Sequence, residues 1–326
     1  MRAVRFLAGL VLAIAACDSP KPPAASAPVP TVPEIGENPG PVAQESRPAD
    51  PSPKAPSPTP QDPGPGQPPP TVEEHFPAKS EYLVKPVEGE PIWPGAGDEK
   101  EIAKRGFLPF KGGYQYELRD AAGKISQSGA VVDGRILLTH GLIELLGCGE
   151  GGKEYESVLR LEADIQALDL ALQLSGLKRG PVPARLNDTS MTQGSRVVVL
   201  LQWEDDGGRT VTHHAEDCVV NIHRQKSMPR VGWTYVGALL ALPDPGAPAG
   251  KTFRVLAATG TRSLLTTYRD PTTLLDNPIE DAVDDTLYIA NYMVLPKMGS
   301  KVRVILRAPD ERARKAIADA EKELAK

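Results

Sequence analysis

Residues 157–176 read SVLRLEADIQALDLALQLSG, and this stretch predicts a strand followed directly by a helix. Half of residues 157–162 are Val or Leu, as expected of a buried strand. Asp164 can cap a helix that runs to Ser175, and Gly176 lies just beyond its end. Apolar side chains recur at helical spacing on one face of that helix, namely Ile165, Leu168, Ala171 and Leu172. Leu170 and Leu174 widen the apolar face, so we expect the helix to be well buried.

The sequence on either side of this stretch is rich in strand patterns. Strands are predicted at 114–119, 218–222 and 302–306, with hairpins that join 130–132 to 136–139, 196–203 to 209–212, and 253–259 to 263–268. Asp133-Gly134 and Gly260-Thr261 supply the turns of the first and third hairpins. Further helices are predicted at 284–293 and 310–326. Because strands and helices do not alternate regularly, we expect an α+β fold: one strand-rich domain over 81–309 with two or three helices.

The amino terminus has the pattern of a bacterial export signal. Arg2 and Arg5 precede an unbroken apolar run at 6–16, which is too short to span a bilayer. Ile14-Ala15-Ala16-Cys17 resembles a lipobox, in which the chain is cut before the cysteine and lipid is attached to its thiol. The resemblance implies a signal peptide over 1–16 and lipidation of Cys17. An ordinary cleaved signal that happens to end beside a cysteine is the alternative.

A proline-rich linker follows and extends to about residue 80. Of the 53 residues from 18 to 70, 19 are proline and none is aromatic. Such a segment cannot bury enough apolar surface to offset its ordering entropy, so it predicts a disordered tether. A ligand for aromatic-lined grooves is a less favoured interpretation, because no motif repeats with basic flanks. The expected location is the cell envelope, with the membrane contacted through the lipid anchor and the domain facing the periplasm or the cell surface.

Charge and cysteine content exclude several classes of function. The net charge is −5 and no basic run occurs, so nucleic acid is not an expected partner. Cys148 and Cys218 are the cysteines beyond Cys17, and an oxidising compartment would permit a disulfide between them. No Cys-x-x-Cys spacing exists for an iron–sulfur cluster, and we predict no cofactor.

Residues 145–157, LLGCGEGGKEYES, resemble the YdjY-like domain of secreted and lipid-anchored bacterial proteins. That family shows a leucine-rich strand, a cysteine, a glycine-containing loop and a Lys-Glu-His-Glu-Ser run, and this chain has Tyr155 in place of the histidine. Weaker similarity extends over 130–309 and includes the turn at 176–182 and the run Ala215-Glu216-Asp217. The resemblance implies an extracytoplasmic domain and carries no established activity with it.

The same loop holds the densest group of polar residues. The candidate ligand pocket consists of Cys148, Lys153, Glu154, Glu156 and Ser157. If a strand begins at Glu154, the two glutamates share one face of it. The alternative is a turn in which Glu154 caps backbone amides and Cys148 packs as a small apolar side chain.

Other constellations are weaker. His213, His214, Cys218 and His223 come nearest to a metal set, but adjacent histidines on a strand face opposite sides, and we predict no metal site. Four aspartates, Asp276, Asp281, Asp284 and Asp285, surround the start of the predicted 284–293 helix, where capping is favoured over calcium binding. No G-x-S-x-G, H-E-x-x-H or phosphate-loop motif occurs.

The sequence therefore predicts a lipid-anchored extracytoplasmic protein that displays a binding or interaction domain. Its partner would be an envelope protein or a small ligand, and no catalytic residue is assigned. The alternative is an extracytoplasmic enzyme, or a redox or metal-binding protein, that uses the 148–157 loop.

Overall fold

Strands dominate the computed structural model, which describes residues 82–190, 192–244, 246 and 250–326. Four α-helices lie in these ranges: α1 (Glu99–Lys104), α2 (Ile165–Leu174), α3 (Ala258–Thr261) and α4 (Glu311–Leu324). The strands are β1 (Leu108–Phe110), β2 (Gly113–Arg119), β3 (Ile125–Ile136), β4 (Leu142–Ile143), β5 (Leu145–Gly149), β6 (Ser157–Leu161), β7 (Arg196–Glu204), β8 (Thr210–His214), β9 (Val219–Asn221), β10 (Lys226–Ser227), β11 (Trp233–Tyr235), β12 (Leu239–Pro243), β13 (Thr252–Leu256), β14 (Ser263–Thr266), β15 (Leu275–Asp276), β16 (Tyr288–Ala290) and β17 (Lys301–Arg307).

Eight of the strands close into a ring. Their order is β3-β17-β7-β11-β15-β14-β5-β6, and β6 pairs back onto β3 with Gly134 opposite Leu161. The β5–β6 and β14–β15 pairs are parallel, and the other neighbours in the ring are antiparallel. Closure leaves no open edge in the ring itself. β2 and β1 continue outward from β3, β8 pairs with β7, and two smaller sheets have the orders β10-β9-β16-β4 and β12-β13.

Strand β7 shows why the chain contains an unbroken apolar run at 197–201. Val197, Val199 and Leu201 belong to the main core, whereas Val198 and Leu200 belong to a second core. Successive side chains of a strand point to opposite faces, so both faces of β7 are buried. A strand buried on both faces needs a continuous apolar sequence rather than an alternating one.

The second core is aromatic and involves both ends of the described chain. Trp93 packs on Tyr116 with ring centroids 4.3 Å apart, and Phe107 stacks on Tyr114 at 5.4 Å. Ile317 of α4 joins the same cluster. These contacts bring the amino-terminal segment and the carboxy-terminal helix against one group of strands.

Polar contacts hold residues 85–93, near the start of the described chain, beside β7 and β8. The backbone N–H of Val87 donates to the carbonyl of Thr212 at 2.7 Å. The side chain of Gln202 accepts from the backbone N–H of Trp93 and donates to the Pro91 carbonyl, both at 2.9 Å. Residues 85–91 therefore run alongside the strands at a fixed position.

Several predicted elements are confirmed. The 157–176 stretch forms β6 and α2, where Asp164 accepts from the Ala167 N–H at 2.9 Å and Gly176 has φ +84°. The 196–212 hairpin is β7 and β8, and the carboxy-terminal helix is α4. The expected deep burial of α2 is wrong, because Leu170 and Leu174 are 54 % and 58 % exposed. Only the stripe formed by Ile165, Leu168, Ala171 and Leu172 faces the core.

The predicted turn at Asp133-Gly134 is wrong, because β3 runs through it as one twelve-residue strand. β17 pairs along this strand with Val302 opposite Gly134, and β6 pairs with its last residues. Partners distant in sequence therefore keep this backbone extended. A Cβ at Gly134 would lie 3.0 Å from the Arg160 carbonyl oxygen, so the glycine serves close strand approach.

The predicted pairing of 253–259 with 263–268 is also wrong. β13 pairs back onto β12, with Phe253 opposite Leu242, and α3 occupies the position of the expected turn. β14 instead joins the ring between β5 and β15, with Ser263 opposite Cys148. Pairing distant in sequence again overrides the local turn signal.

The helix predicted at 284–293 is a third error, because β16 lies there between β9 and β4. Asp284 does not cap a helix; its side chain accepts from the backbone and the hydroxyl of Thr286 at 2.9 and 2.7 Å. Asp276 is fully buried in β15 and does not lie at the start of a helix. The broad expectation of a strand-rich domain that also contains helices is nevertheless confirmed.

Cys148 and Cys218 are both buried and both free, so the possible disulfide does not form. No helix within the described ranges is long and apolar enough to cross a membrane. The signal peptide over 1–16, Cys17 and the linker to residue 80 lie outside the described residues.

Candidate functional site

The loop proposed as a ligand pocket joins two parallel strands of the ring. Cys148 lies in β5 and Ser157 begins β6, and both side chains are completely buried. Glu154–Glu156 form one turn of 3₁₀-helix, so these glutamates do not share a strand face as expected. The Ser157 hydroxyl donates to the Lys153 carbonyl at 2.6 Å and fixes the end of the loop.

The charged residues of this loop neutralise one another. Lys153 forms ion pairs with Glu144 and, at 3.2 Å, with Glu156. Partial burial lowers the pKa of Lys153. Its hydrogen bond to Glu144 and the other nearby negative groups raise the pKa by more, so the net shift is upward. Glu154 accepts from the Gly151 N–H at 3.0 Å, which is the amide-capping role of the alternative interpretation.

Cys148 has the surroundings of a structural thiol. Burial raises its pKa, so the thiolate that a nucleophile or metal ligand requires is disfavoured. Tyr155, at the position where the resembling family has histidine, is 72 % exposed. The structure thus brings Cys148, Lys153, Glu154, Glu156 and Ser157 together in one loop, but their contacts stabilise that loop.

The histidine-rich segment does not form a metal centre. His213 stacks on Trp203 with centroids 5.2 Å apart, and His223 is exposed. Burial raises the pKa of the Cys218 thiol well above its usual value. In the described part of the chain, no group of three or more His, Cys, Asp or Glu side chains is arranged to hold a metal ion.

A groove of about 580 Å³ lies on the second-core side of β7, and we call it the terminal groove. It is lined by residues 85–91 on one wall, by the start of α4 on another, and by Val198 and Gly232 between them. Ile317 contributes an apolar surface from α4. A volume of this size suits a small organic ligand.

Glu216 lines the terminal groove and differs from every other charged group there. It sits in the 3₁₀-helix Ala215–Cys218, between β8 and β9, and its side chain is only 1 % exposed. One carboxyl oxygen, Oε1, accepts from the Gly232 N–H at 3.0 Å. The other, Oε2, has no hydrogen-bond partner among the described residues, and Glu216 forms no ion pair with any of them. Burying a carboxylate without a partner is costly.

Burial raises the pKa of Glu216 to about 7, and the nearby carboxylate of Asp217 acts in the same direction. The backbone N–H groups of Glu216 itself and of Gly232, and then the Arg230 guanidinium, oppose the shift without cancelling it. At neutral pH the carboxyl is therefore poised between its protonated and ionised forms. A strongly shifted group in a cleft is a recognised indication of a functional site.

Four other charged groups of the groove lining are already engaged, whereas Lys85, Glu88 and Arg312 form no ion pair with the described residues. Arg230 makes two bonds of 2.9 Å to Asp217, and Arg307 pairs with Glu90 at 2.9 Å. Asp310 caps α4 by accepting from the Ala313 N–H at 2.7 Å. None of these groups satisfies Glu216.

His214 is a neutral neighbour of this carboxyl in the groove lining. Burial lowers its pKa to about 4, helped by the positive charge of Arg230. The backbone N–H of His214 donates to Asp217 Oδ2 at 3.2 Å, which holds His214 against the Ala215–Cys218 turn. His214 therefore contributes no cation to the groove at neutral pH.

Sequence reasoning did not select Glu216 as a site residue. The run Ala215-Glu216-Asp217 entered only through family resemblance, and nothing in its spacing marks one carboxylate as buried. The available signal was an acidic pair set between two predicted strands, directly after two histidines. That signal becomes informative only when residues 85–91 and α4 are known to cover it.

The chain matches no known family model, no curated protein and no solved structure. The YdjY-like resemblance of residues 130–309 consequently stays a prediction, and the assignment of function depends on the geometry of this chain alone.

Proposed function

We propose that this protein is a lipid-anchored extracytoplasmic binding protein, in which a proline-rich tether presents one folded domain and the terminal groove receives a small ligand. The observation that carries the groove assignment is Glu216, a buried carboxyl with one unpartnered oxygen in the lining of a 580 Å³ groove. Folded proteins normally satisfy buried polar groups, so an exception calls for an explanation. A bound ligand that donates to Oε2 supplies one.

We do not extend the proposal to catalysis. The 148–157 loop offered the alternative of an enzyme or a redox or metal protein, but its thiol is buried with a raised pKa and its charges are mutually paired. In the terminal groove, His214 is not placed as a cationic acid at neutral pH. Binding is the function that these contacts favour.

The anchor is tested by metabolic labelling of the full chain with palmitate in a bacterial host. We expect wild-type protein to be labelled and to partition with membranes, and Cys17→Ser to lose both properties. Cys148→Ser is the matched control and should stay labelled. Equal labelling of wild type and Cys17→Ser would remove the anchor from the proposal.

The groove is tested by filling it. Ala316 lies on α4 in the groove lining and is exposed, so Ala316→Trp should occupy the groove without disturbing the core. Lys315→Trp changes the neighbouring exposed position, which is outside the lining. In a thermal-shift screen of small molecules, compounds that stabilise wild type should also stabilise Lys315→Trp and should have no effect on Ala316→Trp. Ligands that stabilise all three proteins equally would place binding elsewhere.

A further inference from the structure

We propose that the terminal groove binds a primary amine, whose ammonium group forms an ion pair with Glu216. This inference rests on the proposed function and names the class of ligand that the same groove takes.

The geometry of Glu216 leaves one acceptor for a ligand. Oε1 is held by the Gly232 N–H at 3.0 Å, which orients the carboxyl group, while Oε2 has no partner among the described residues. Carboxylate oxygens only accept hydrogen bonds, so a ligand atom at Oε2 must donate when Glu216 is ionised. An ammonium group donates and also carries the opposite charge, which a buried carboxylate requires.

Lys85 and Arg312 also line the groove and form no ion pair with the described residues, but the charges that act most strongly on Glu216 itself are Asp217 and Arg230. Arg230 is bound to Asp217 through two nitrogens and Arg307 is bound to Glu90, so neither guanidinium is free to neutralise Glu216. His214 is neutral at pH 7 and does not compete for the carboxylate. An anionic ligand would meet an unneutralised carboxyl at this position.

A metal ion is a poorer occupant than an organic amine. No metal-holding group of three His, Cys, Asp or Glu side chains exists within the described ranges. The apolar side chains of Val198 and Ile317, which line the same groove, suit the carbon chain of an alkylamine. The groove therefore combines a buried, unpartnered carboxyl oxygen with a hydrocarbon surface.

Amine binding should depend on pH with a defined sign. Besides Glu216, the lining carries four cations, Lys85, Arg230, Arg307 and Arg312, three carboxylates, Glu88, Glu90 and Asp310, and His214, and Asp217 adjoins Glu216 in sequence. An alkylamine stays protonated up to about pH 10, whereas Glu216 ionises around pH 7. Affinity should therefore rise about tenfold as pH increases from about 6 to about 8.

The experiment is titration calorimetry of the full chain with the diamine putrescine and, as a neutral probe of equal length, butanediol. We expect putrescine to bind and butanediol to bind at least about tenfold more weakly. Glu216→Gln keeps the acceptor for Gly232 and removes the charge, so putrescine affinity should fall about tenfold or more and lose its pH dependence. Glu204→Gln neutralises an exposed carboxyl outside the groove lining and should bind within about twofold of wild type.

Three results would overturn the amine assignment: equal affinity for putrescine and butanediol, wild-type affinity in Glu216→Gln, or no heat of binding with millimolar putrescine. If Glu216→Gln does not fold, the affinities of wild type for putrescine and butanediol across the pH range test the amine assignment instead. A groove that rejects putrescine but binds another compound, with loss in Ala316→Trp, would end the amine inference and leave the proposed function standing. Ligands unaffected by Ala316→Trp would contradict the proposed function itself.

Discussion

At the scale of single residues, Glu216 is the clearest conflict between local chemistry and the fold. Its side chain is nearly sealed from solvent, yet only Oε1 has a hydrogen bond from another residue of the described chain. The buried Arg269 shows the contrast, since its guanidinium donates to the carbonyls of Asn277 and Ile279. Arg269 is therefore satisfied within the fold, whereas Glu216 leaves one buried carboxyl oxygen without a partner in the groove lining.

Glu216 should make the stability of the unliganded protein fall with pH. Its pKa of about 7 in the fold exceeds the ordinary value of 4.5, so the folded state holds the proton more tightly than the unfolded state. The stabilisation of the folded state by this proton is therefore complete below about pH 4.5 and is lost as pH rises through about 7. Its magnitude is about 3 kcal/mol. Urea denaturation across this range should show a smaller loss for Glu216→Gln than for wild type.

The exposed Glu204→Gln variant serves as the control for that experiment and should follow the wild-type curve. Asp276, which is also buried with a pKa of about 7, stays in all three proteins and so cancels from the comparison. If the free energy of unfolding changed with pH in the same way for wild type and Glu216→Gln, the pKa of Glu216 would not be raised in the folded protein.

Two glycines with similar backbone angles should differ sharply in tolerance. Gly112 has φ +80° and a Cβ there would lie 1.7 Å from the Glu162 carbonyl oxygen; Gly123 has φ +78° and no atom within 4 Å. Both alanine variants incur the left-handed penalty of about 1 kcal/mol. Only Gly112→Ala adds a backbone clash, so it should destabilise by about 2 kcal/mol more in urea denaturation. Equal losses would show that the 112–162 contact relaxes freely.

At the scale of elements, local signals predicted α2, α4 and the β7–β8 hairpin, since each carries its own cap or turn. Asp164 and Asp310 bond the helix amides that follow them. Asp205 organises the hairpin turn by accepting from the Gly207 and Arg209 amides, both at 2.9 Å. Such elements are specified within a few residues and could be predicted from sequence.

The elements that were mispredicted depend on partners far away in the chain. Asp133-Gly134 has turn chemistry, but β17 and β6 pair across it. Residues 284–293 carry helix-compatible composition, but β16 fills the gap between β9 and β4. Propensity is a weak prior where two neighbouring strands already offer hydrogen bonds.

Removal of the α4 cap should loosen one wall of the terminal groove. Asp310→Ala leaves the Ala313 N–H without its acceptor and should cost about 1 kcal/mol. Because α4 buries mainly Ile317, we expect faster hydrogen exchange at 311–324 while the ring strands keep their protection. Asp319→Ala, which removes only a 3.7 Å surface ion pair with Lys322, should leave exchange in α4 unchanged. Uniformly faster exchange throughout the domain would contradict a local role for this cap.

At the scale of the whole molecule, the candidate site was harder to predict than the fold class. The 148–157 loop attracted attention because its polar residues are close in sequence, and those residues turned out to bond one another. The terminal groove is assembled from residues 85–91, from β7 with the nearby 215–218 turn, and from α4, which are three regions far apart in the sequence. They come together only because residues 85–91 and α4 both pack against the ring strands.

The closed ring also makes the two buried thiols reporters of global unfolding. Cys148 lies in β5 of the ring and Cys218 beside β9 of the second sheet, and both are free and completely buried. Since no disulfide links them, we expect reductant to leave the melting temperature unchanged. A thiol reagent should label both cysteines only in denaturant, with a midpoint that coincides with loss of tryptophan fluorescence, because Trp203 and Trp233 belong to the same core. A melting temperature that falls with reductant would reveal a disulfide, whereas labelling of Cys148 well before the fluorescence change would show that the β5–β6 region opens independently of the ring.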